Sequence, residues 1–320
     1  MPCLGIVVPC YNEEDNIFEF YNAIDKVFEK SIEEKGFSYK IIFVDDGSTD
    51  NTLQRIKELA NENEKITYLS FSRNFGKEAA ILAGLENLNC EFMSIMDVDL
   101  QDPPQLLTDM IDILNNNPDI DCVAAKRISR EHEGVIRSFF SVMFYKMINN
   151  ISDTKLENGV RDFRVMRSYV NDALLSLGEK ARFTKGIFSW IGFKTEYLEY
   201  KNVERKRGKT KWSFKKLYKY ALDGIISFST VPLALSSVLG GIFCCISVVM
   251  LIYMLIMKIF NKINVEGYAL IICSLWLMGG IQLFTIGILS KYVEKIFLET
   301  KNRPIYIIKE FKDSRGANKC

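Results

Sequence analysis

Residues 95–104 read IMDVDLQDPP, an apolar run that ends in three carboxylates, Asp97, Asp99 and Asp102, followed by two prolines. The segment FMSIMD is short and apolar, as a buried strand is, and alternate residues of a strand share a face. On that reading Asp97 and Asp99 point the same way while Val98 points into the packing. Two close carboxylates repel unless a positive charge lies between them. A hard divalent cation, Mg²⁺ or Mn²⁺, takes oxygen ligands and bridges protein carboxylates to substrate phosphates. Asp97 and Asp99 are therefore candidate metal ligands, and Gln101 a neutral ligand or a substrate contact. Asp102, directly before Pro103 and Pro104, reads as a helix N-cap. Taken alone, a DxD pair is better read as a polar strand end without metal.

Outward from this stretch the first ~120 residues alternate between two periods. LGIVV, IIFVD, ITYLSF and FMSIMD are short runs rich in β-branched residues; between them, residues 15–35, 49–61 and 76–88 have helical spacing. Strand alternating with helix predicts an α/β fold with a parallel sheet. Such sheets bind ligands outside the carboxyl ends of their strands. The polar clusters PCYNEE, DDGSTD, RNFGKE and DVDLQD follow the four strands and would lie along one edge. Cys122 to Lys126 and VRDFRVMR read as further strands, RSFFSVMFYKMIN as an amphipathic helix, and FKTEYLEYKNVERKR as a last strand running into a basic segment. From Lys201 to Lys219 Glu204 is the only acidic residue, and the cations are interleaved with aromatic residues. A solvated loop is one reading; ahead of a membrane span this composition suits an interfacial helix against anionic head groups.

The chain has 320 residues with 41 Lys+Arg against 40 Asp+Glu, so the average charge implies no nucleic-acid partner. That average hides two charge-free runs, Gly224 to Met257 and Gly267 to Ser290. Each exceeds the ~20 apolar residues that carry a helix across a bilayer. Joined by KIFNKINVE, they predict a two-helix transmembrane hairpin, starting near Thr230 with Pro232 in its opening turn; two buried core helices are the alternative. Basic residues flank the hairpin, which puts both termini in the cytoplasm. The N-terminus opens on a strand-like run, not on a signal-peptide pattern. Eight cysteines without a CxxC pair suit a reducing compartment, with neither a disulfide framework nor a zinc site. A single histidine, His132, in the charged stretch SREHEG, excludes multi-histidine metal sites.

VVPCYNEE, VDDGSTDNT, RNFGKE and DVDLQDPP, in that order, resemble the inverting family-two glycosyltransferases with a GT-A fold. RDFRVMR, RKRGKTKWSFKKLYKYALDGIISFSTVPL and SKYVEKIFLETKNRPIYII extend the resemblance to the polyisoprenyl-phosphate branch, the bactoprenol glucosyltransferase and dolichol-phosphate mannosyltransferase type. Each motif is modest by itself, but the ordered set is specific and covers nearly the whole chain. The resemblance implies a GT-A nucleotide-sugar-binding domain over residues 1–200, with a mixed, mostly parallel sheet. A basic juxtamembrane segment would follow at 201–229, two transmembrane helices at 230–290 and a cytoplasmic tail at 291–320.

It also implies a nucleoside diphosphate sugar donor, with Pro9, Tyr11, Asn12, Glu13, Asp45 and Asp46 around base and ribose. Lys77 reaches a phosphate or is a surface lysine. The acceptor would be a polyprenyl phosphate, and Asp162 of RDFR stands where the branch assigns a catalytic base; an orienting role or a structural ion pair with Arg161 and Arg164 is the alternative. An anionic acceptor needs cations, and Arg127, Arg137, Arg205, Arg207 and Lys211 are candidates. Gly208 would let that basic stretch close as a loop. The tail KNRPIYII is closer to the undecaprenyl-phosphate type, which favours a UDP-hexose over GDP-mannose. A homo-oligomer is compatible with all of this. A processive polysaccharide synthase would carry a QxxRW helix, which is absent. A sugar-nucleotide sensor without catalysis and a flippase are the other classes, the latter disfavoured by spans with no internal charge.

Overall fold

The computed structural model describes residues 2–29, 36–128, 149, 157–180, 182–200, 226, 229, 231–259, 267–312 and 318–319. The alternation read from the sequence becomes a nine-stranded sheet. Its strands are β1 (Cys3–Cys10), β2 (Ser38–Asp45), β3 (Ile66–Phe71), β4 (Phe92–Ile95), β5 (Cys122–Arg127), β6 (Val160–Arg167), β7 (Thr195–Tyr200), β8 (Ile308–Lys312) and β9 (Asn318–Lys319). Their order across the sheet is β7-β5-β6-β4-β1-β2-β3-β8-β9. Strands β1, β2, β3 and β4 are parallel, β6 runs antiparallel between β4 and β5, and β8 is antiparallel to β3. This is the mixed, mostly parallel α/β sheet expected of a GT-A-like domain.

The central strands are apolar on both faces because helices cover both. Helices α1 (Ile17–Val27), α2 (Thr52–Glu62) and α4 (Leu106–Asn116) pack on one face, where Ile6, Val8, Ile41 and Phe43 point. In α1, Ile17, Phe20, Ile24 and Val27 recur at helical spacing and are the buried residues. Helices α3 (Lys77–Asn87), α5 (Ser168–Ser176) and α6 (Thr184–Trp190) cover the other face with Val7, Ile42 and Val44. Helix α3 lies unusually close to β1: a Cβ on Gly84 would sit 2.2 Å from Val7 Cγ1. The chain runs from β1 to β2 and β3 on one side and then to β4 on the other, so the order reverses at β1. A crevice opens at such a reversal, outside the carboxyl ends of the strands.

Two helices follow the domain, α7 (Val231–Ile259) and α8 (Tyr268–Thr300). Among the described residues one helix is long and apolar enough to cross a membrane: Val231–Met250 of α7, mean hydropathy 2.3, with none of the stretch buried. Pro232 occupies its opening turn, as expected. Along α8, Leu275, Leu277, Leu283 and Phe284 face outward, and Tyr292 donates a 2.7 Å hydrogen bond to the Ser229 carbonyl.

Beyond α8 the chain returns to the sheet, which the sequence reading of residues 291–320 as a tail did not foresee. Strand β8 pairs with the edge of β3, and Tyr306 stacks on Phe71 at 5.0 Å between ring centres. Lys57 pairs with Glu310 at 2.5 Å, and Lys180 Nζ donates to Glu299 O and Asn302 Oδ1 at 3.1 and 3.0 Å.

Two local expectations are corrected. Strand β4 ends at Ile95, so Asp97 and Asp99 are not alternate residues of a strand but belong to the connection after it. Asp102 is not an N-cap: α4 starts at Leu106 behind a turn in which the Pro103 and Pro104 carbonyls accept the Leu106 and Leu107 N–H groups.

Candidate functional site

The polar clusters do gather at the carboxyl edge of the sheet, and their side chains are engaged with one another. After β1, Tyr11 is 38 % exposed and Asn12 takes a left-handed φ of 53°. Asn12 N–H donates to Ser48 Oγ (3.0 Å) and its Oδ1 accepts Thr49 N–H (2.9 Å), while Glu13 N–H donates to Thr52 Oγ1 (2.8 Å). Glu13 Oε2 accepts Asn16 Nδ2 at 2.6 Å. The loop after β1 is thus laced to the loop after β2. Pro9 is the last residue but one of β1, and Tyr11 follows its end.

Asp45 and Asp46 are turned inward. Asp45 is 1 % exposed and accepts Ser48 N–H (3.1 Å) and Ser70 Oγ–H (2.8 Å). Asp46 accepts the N–H groups of Phe75 (2.6 Å) and Gly76 (2.9 Å); burial pushes its carboxyl up to about 6 against those two bonds. In this structure the pair shapes the crevice by holding its loops. Ser70 and the backbone of residues 75–76 were not visible as partners because the motif lists only what is adjacent in sequence.

Between those loops lies Gly47, with φ +66° and a hypothetical Cβ only 2.5 Å from the Arg73 carbonyl carbon. A backbone neighbour cannot rotate away. Gly47→Ala is expected to destabilise by roughly 2–3 kcal/mol, from the left-handed backbone plus the clash. A thermal unfolding scan against the parent protein checks it, and an unchanged midpoint would contradict the packing.

Opposite stands the acidic turn. Val98 is buried, Asp97 and Asp99 are partly exposed, and Leu100 has φ +53°, which folds the chain back so that Gln101 N–H donates to Asp99 Oδ1 (3.2 Å). Lys77, the first residue of α3, reaches across. Its Nζ lies 2.6 Å from Asp97 Oδ1 and 2.7 Å from Asp162 Oδ2. Burial works against charge at Asp162, but Lys77 and Lys185 hold its carboxyl well below the usual carboxylate range. Lys77 is therefore paired to two carboxylates at the crevice and is not a lone surface lysine.

Arg161 and Arg164 are not the carboxylate partners of Asp162. Arg161 donates to Gln101 Oε1 (2.9 Å) and Asp102 Oδ1 (3.2 Å), and Tyr200 OH also donates to Asp102. That explains the third carboxylate of the opening stretch: Asp102 is a buried anchor for Arg161. Arg161 also holds the Gln101 side-chain oxygen, which keeps a second lone pair. Arg164 is buried, lies 3.7 Å from the Phe188 ring centre, and donates to the carbonyls of Asp162 and Arg161. Beside it, under α6, a polar cavity of about 170 Å³ is lined by Glu157, Arg164, Lys185, Ser189 and Tyr197 among others.

Arg127 ends β5 at the same edge, its N–H bonded to Gly159 O at 3.0 Å. Arg137, Arg205, Arg207, Gly208 and Lys211 lie outside the described residues, as do His132 and the basic juxtamembrane segment. Sequence reasoning missed Arg161 and Tyr200 as organisers of the acidic turn, and Lys185 as a cation near Asp162.

A divalent cation suits the donors present. Asp97 and Asp99 offer hard oxygen atoms, and a positive group, the Lys77 ammonium, already sits against Asp97. Among the described residues no three His, Cys, Asp or Glu side chains cluster as a complete metal cage. Two protein carboxylates with substrate oxygens completing the shell is how magnesium-type sites at phosphates are built.

The model of the family described as "Glycosyl transferase family 2" matches residues 5–175. CsbB of Bacillus subtilis, named a glycosyltransferase, is 43 % identical over 307 residues, covering 96 % of this chain and 91 % of that one. The bactoprenol glucosyl transferase of Shigella phage SfX is 40 % identical over 309 residues, covering 97 % and 99 %. Among solved structures, glucosyl-3-phosphoglycerate synthase from Mycobacterium tuberculosis, in complex with Mn²⁺, UDP-glucose and phosphoglyceric acid, aligns with a TM-score of 0.49 at 15 % identity, over 70 % of this chain and 78 % of that one.

Proposed function

The chain belongs to glycosyltransferase family 2, and on that premise we propose that it transfers a hexose from a UDP-sugar to a polyprenyl phosphate, undecaprenyl phosphate by preference, at the cytoplasmic face of a membrane. Full-length similarity to bactoprenol glucosyl transferases supports the lipid acceptor. The observation that carries the chemistry is the meeting of Asp97, Lys77 and Asp162 at the crevice edge, which brings the donor-side turn and the acceptor-side strand together.

A divalent ion held by Asp99 with Asp97 would supply Lewis-acid stabilisation of the departing diphosphate. The remaining work falls to the chain. Tyr11 offers a face to the base, with Pro9, Asn12 and Glu13 beside it and Asp45 and Asp46 bracing the loops. Asp162, kept ionised by Lys77, is a weak base. The acceptor phosphate is already anionic near neutral pH, so no strong base is required for direct displacement with inversion. Asp162 instead orients what enters its side of the crevice. Arg127, with Arg137, Arg205 and Lys211, would offset the repulsion between acceptor phosphate and donor diphosphate.

Strand β8 bears on topology. It follows α8 yet hydrogen-bonds to β3 of the N-terminal domain, so residues 308–312 must lie on the side where that domain lies. That requires an even number of crossings. If α7 spans, a second span is needed, and α8 is the helix available. This supports the hairpin, and the basic residues that flank it favour the cytoplasmic side for the catalytic domain and both termini.

The test is a panel of labelled UDP- and GDP-sugars with undecaprenyl phosphate and purified full-length protein, in Mg²⁺, Mn²⁺ or EDTA. Transfer from a UDP-hexose, lost in EDTA, is the expected result. Absence of transfer from every donor in every cation would overturn the proposal.

A further inference from the structure

Lys77 makes two short ion pairs at once, and its backbone is fixed on every side. Asp46 holds the N–H groups of Phe75 and Gly76 just before it, Gly76 turns with φ +103°, and the helix it starts is pressed onto β1 at Gly84. Among the described residues the other cations near Asp162 also bond elsewhere: Lys185 Nζ donates to Val160 O at 3.2 Å, and Arg164 donates to two carbonyls. Asp97 and Asp162 therefore share one ammonium, and without it the two like charges repel.

We propose that Lys77 is a positioning residue that bridges Asp97 and Asp162 and so aims Asp162 at the reacting centre. The proposal rests on the glycosyl-transfer reading above and adds to it the residue that joins the two halves of the site. With two of the three ammonium hydrogens directed at carboxylates, Lys77 acts through those carboxylates and not as a main ligand of the donor phosphates. Loss of the bridge frees Asp162 to turn toward Lys185, leaving donor binding largely intact and the transfer step impaired.

A double-mutant cycle on the full-length protein tests this, with the variants Lys77→Met, Asp162→Asn and both together, alongside Lys77→Arg. Turnover, KM for undecaprenyl phosphate and the Kd of UDP with Mn²⁺ are measured for each. Lys77→Met is expected to lower kcat about 100-fold and to leave the UDP Kd within about 3-fold. The double variant should lose no more than about 3-fold beyond Asp162→Asn alone, because the lysine has nothing left to aim. Lys77→Arg, which keeps a cation at the bridge, should recover at least about 10-fold of the loss. Losses that multiply in the double variant overturn the bridge, as does a rise in UDP Kd that matches the fall in turnover. An inactive parent protein would sink the glycosyl-transfer reading itself, whereas an active parent with a multiplicative cycle sinks only the role of Lys77.

Discussion

Asp99→Asn is expected to lower sugar transfer by at least about 1,000-fold, equivalent to roughly 4 kcal/mol of transition-state stabilisation, while the protein stays folded. The two halves of that expectation come from different observations. Asp99 is only partly buried, and its Oδ1 accepts the Gln101 N–H, a bond that an asparagine oxygen can still accept. The structural cost should stay below about 1 kcal/mol. The charge is another matter: a divalent ion attracted by a carboxylate gains far less from an amide, and the diphosphate would leave without its counter-ion. Transfer rate, thermal midpoint and Mn²⁺ titration on the same sample separate the two. A folded variant that still transfers sugar would remove Asp99 from metal binding. Asp97→Asn is a poorer test, since it also breaks the ion pair with Lys77.

How much of this was legible in the sequence follows from which interactions are local. The strands and the crevice edge were readable, because parallel strands buried on both faces are continuous apolar runs and their polar ends stand out. The acidic turn was misread as a pleated strand because β4 is only four residues long and nothing in the residue type marks the left-handed Leu100. The pairings of Lys77 span 20 and 85 positions, and no local pattern signals an ion pair between helix and strand at such separations. Strand β8 was hidden for a different reason: it lies beyond the hydrophobic segments, where charge alternation and tail length suggest an extension and not a sheet edge.

Asp102→Ala separates two readings of one carboxylate by size of effect. As an N-cap, Asp102 would cost about 1 kcal/mol to remove. As the 4 %-exposed partner of Arg161 and Tyr200, it should cost roughly 3 kcal/mol, because truncation strands a guanidinium and a hydroxyl. The figure sits at the low end for a buried pair, since the Arg161 side chain keeps 27 % of its surface in water and can be partly rehydrated. A fall in thermal midpoint of about 6–12 °C is then expected, against about 2–4 °C for a lost cap. Activity should fall as well: Arg161 also holds the Gln101 side chain, so the turn that carries Asp99 loses its brace. Asp102→Asn, which keeps an acceptor for Tyr200 and Arg161, should lie between the parent and the alanine variant on both measures. A midpoint shift within the cap range and unchanged turnover would return Asp102 to the helix end and leave Arg161 without a role in the site.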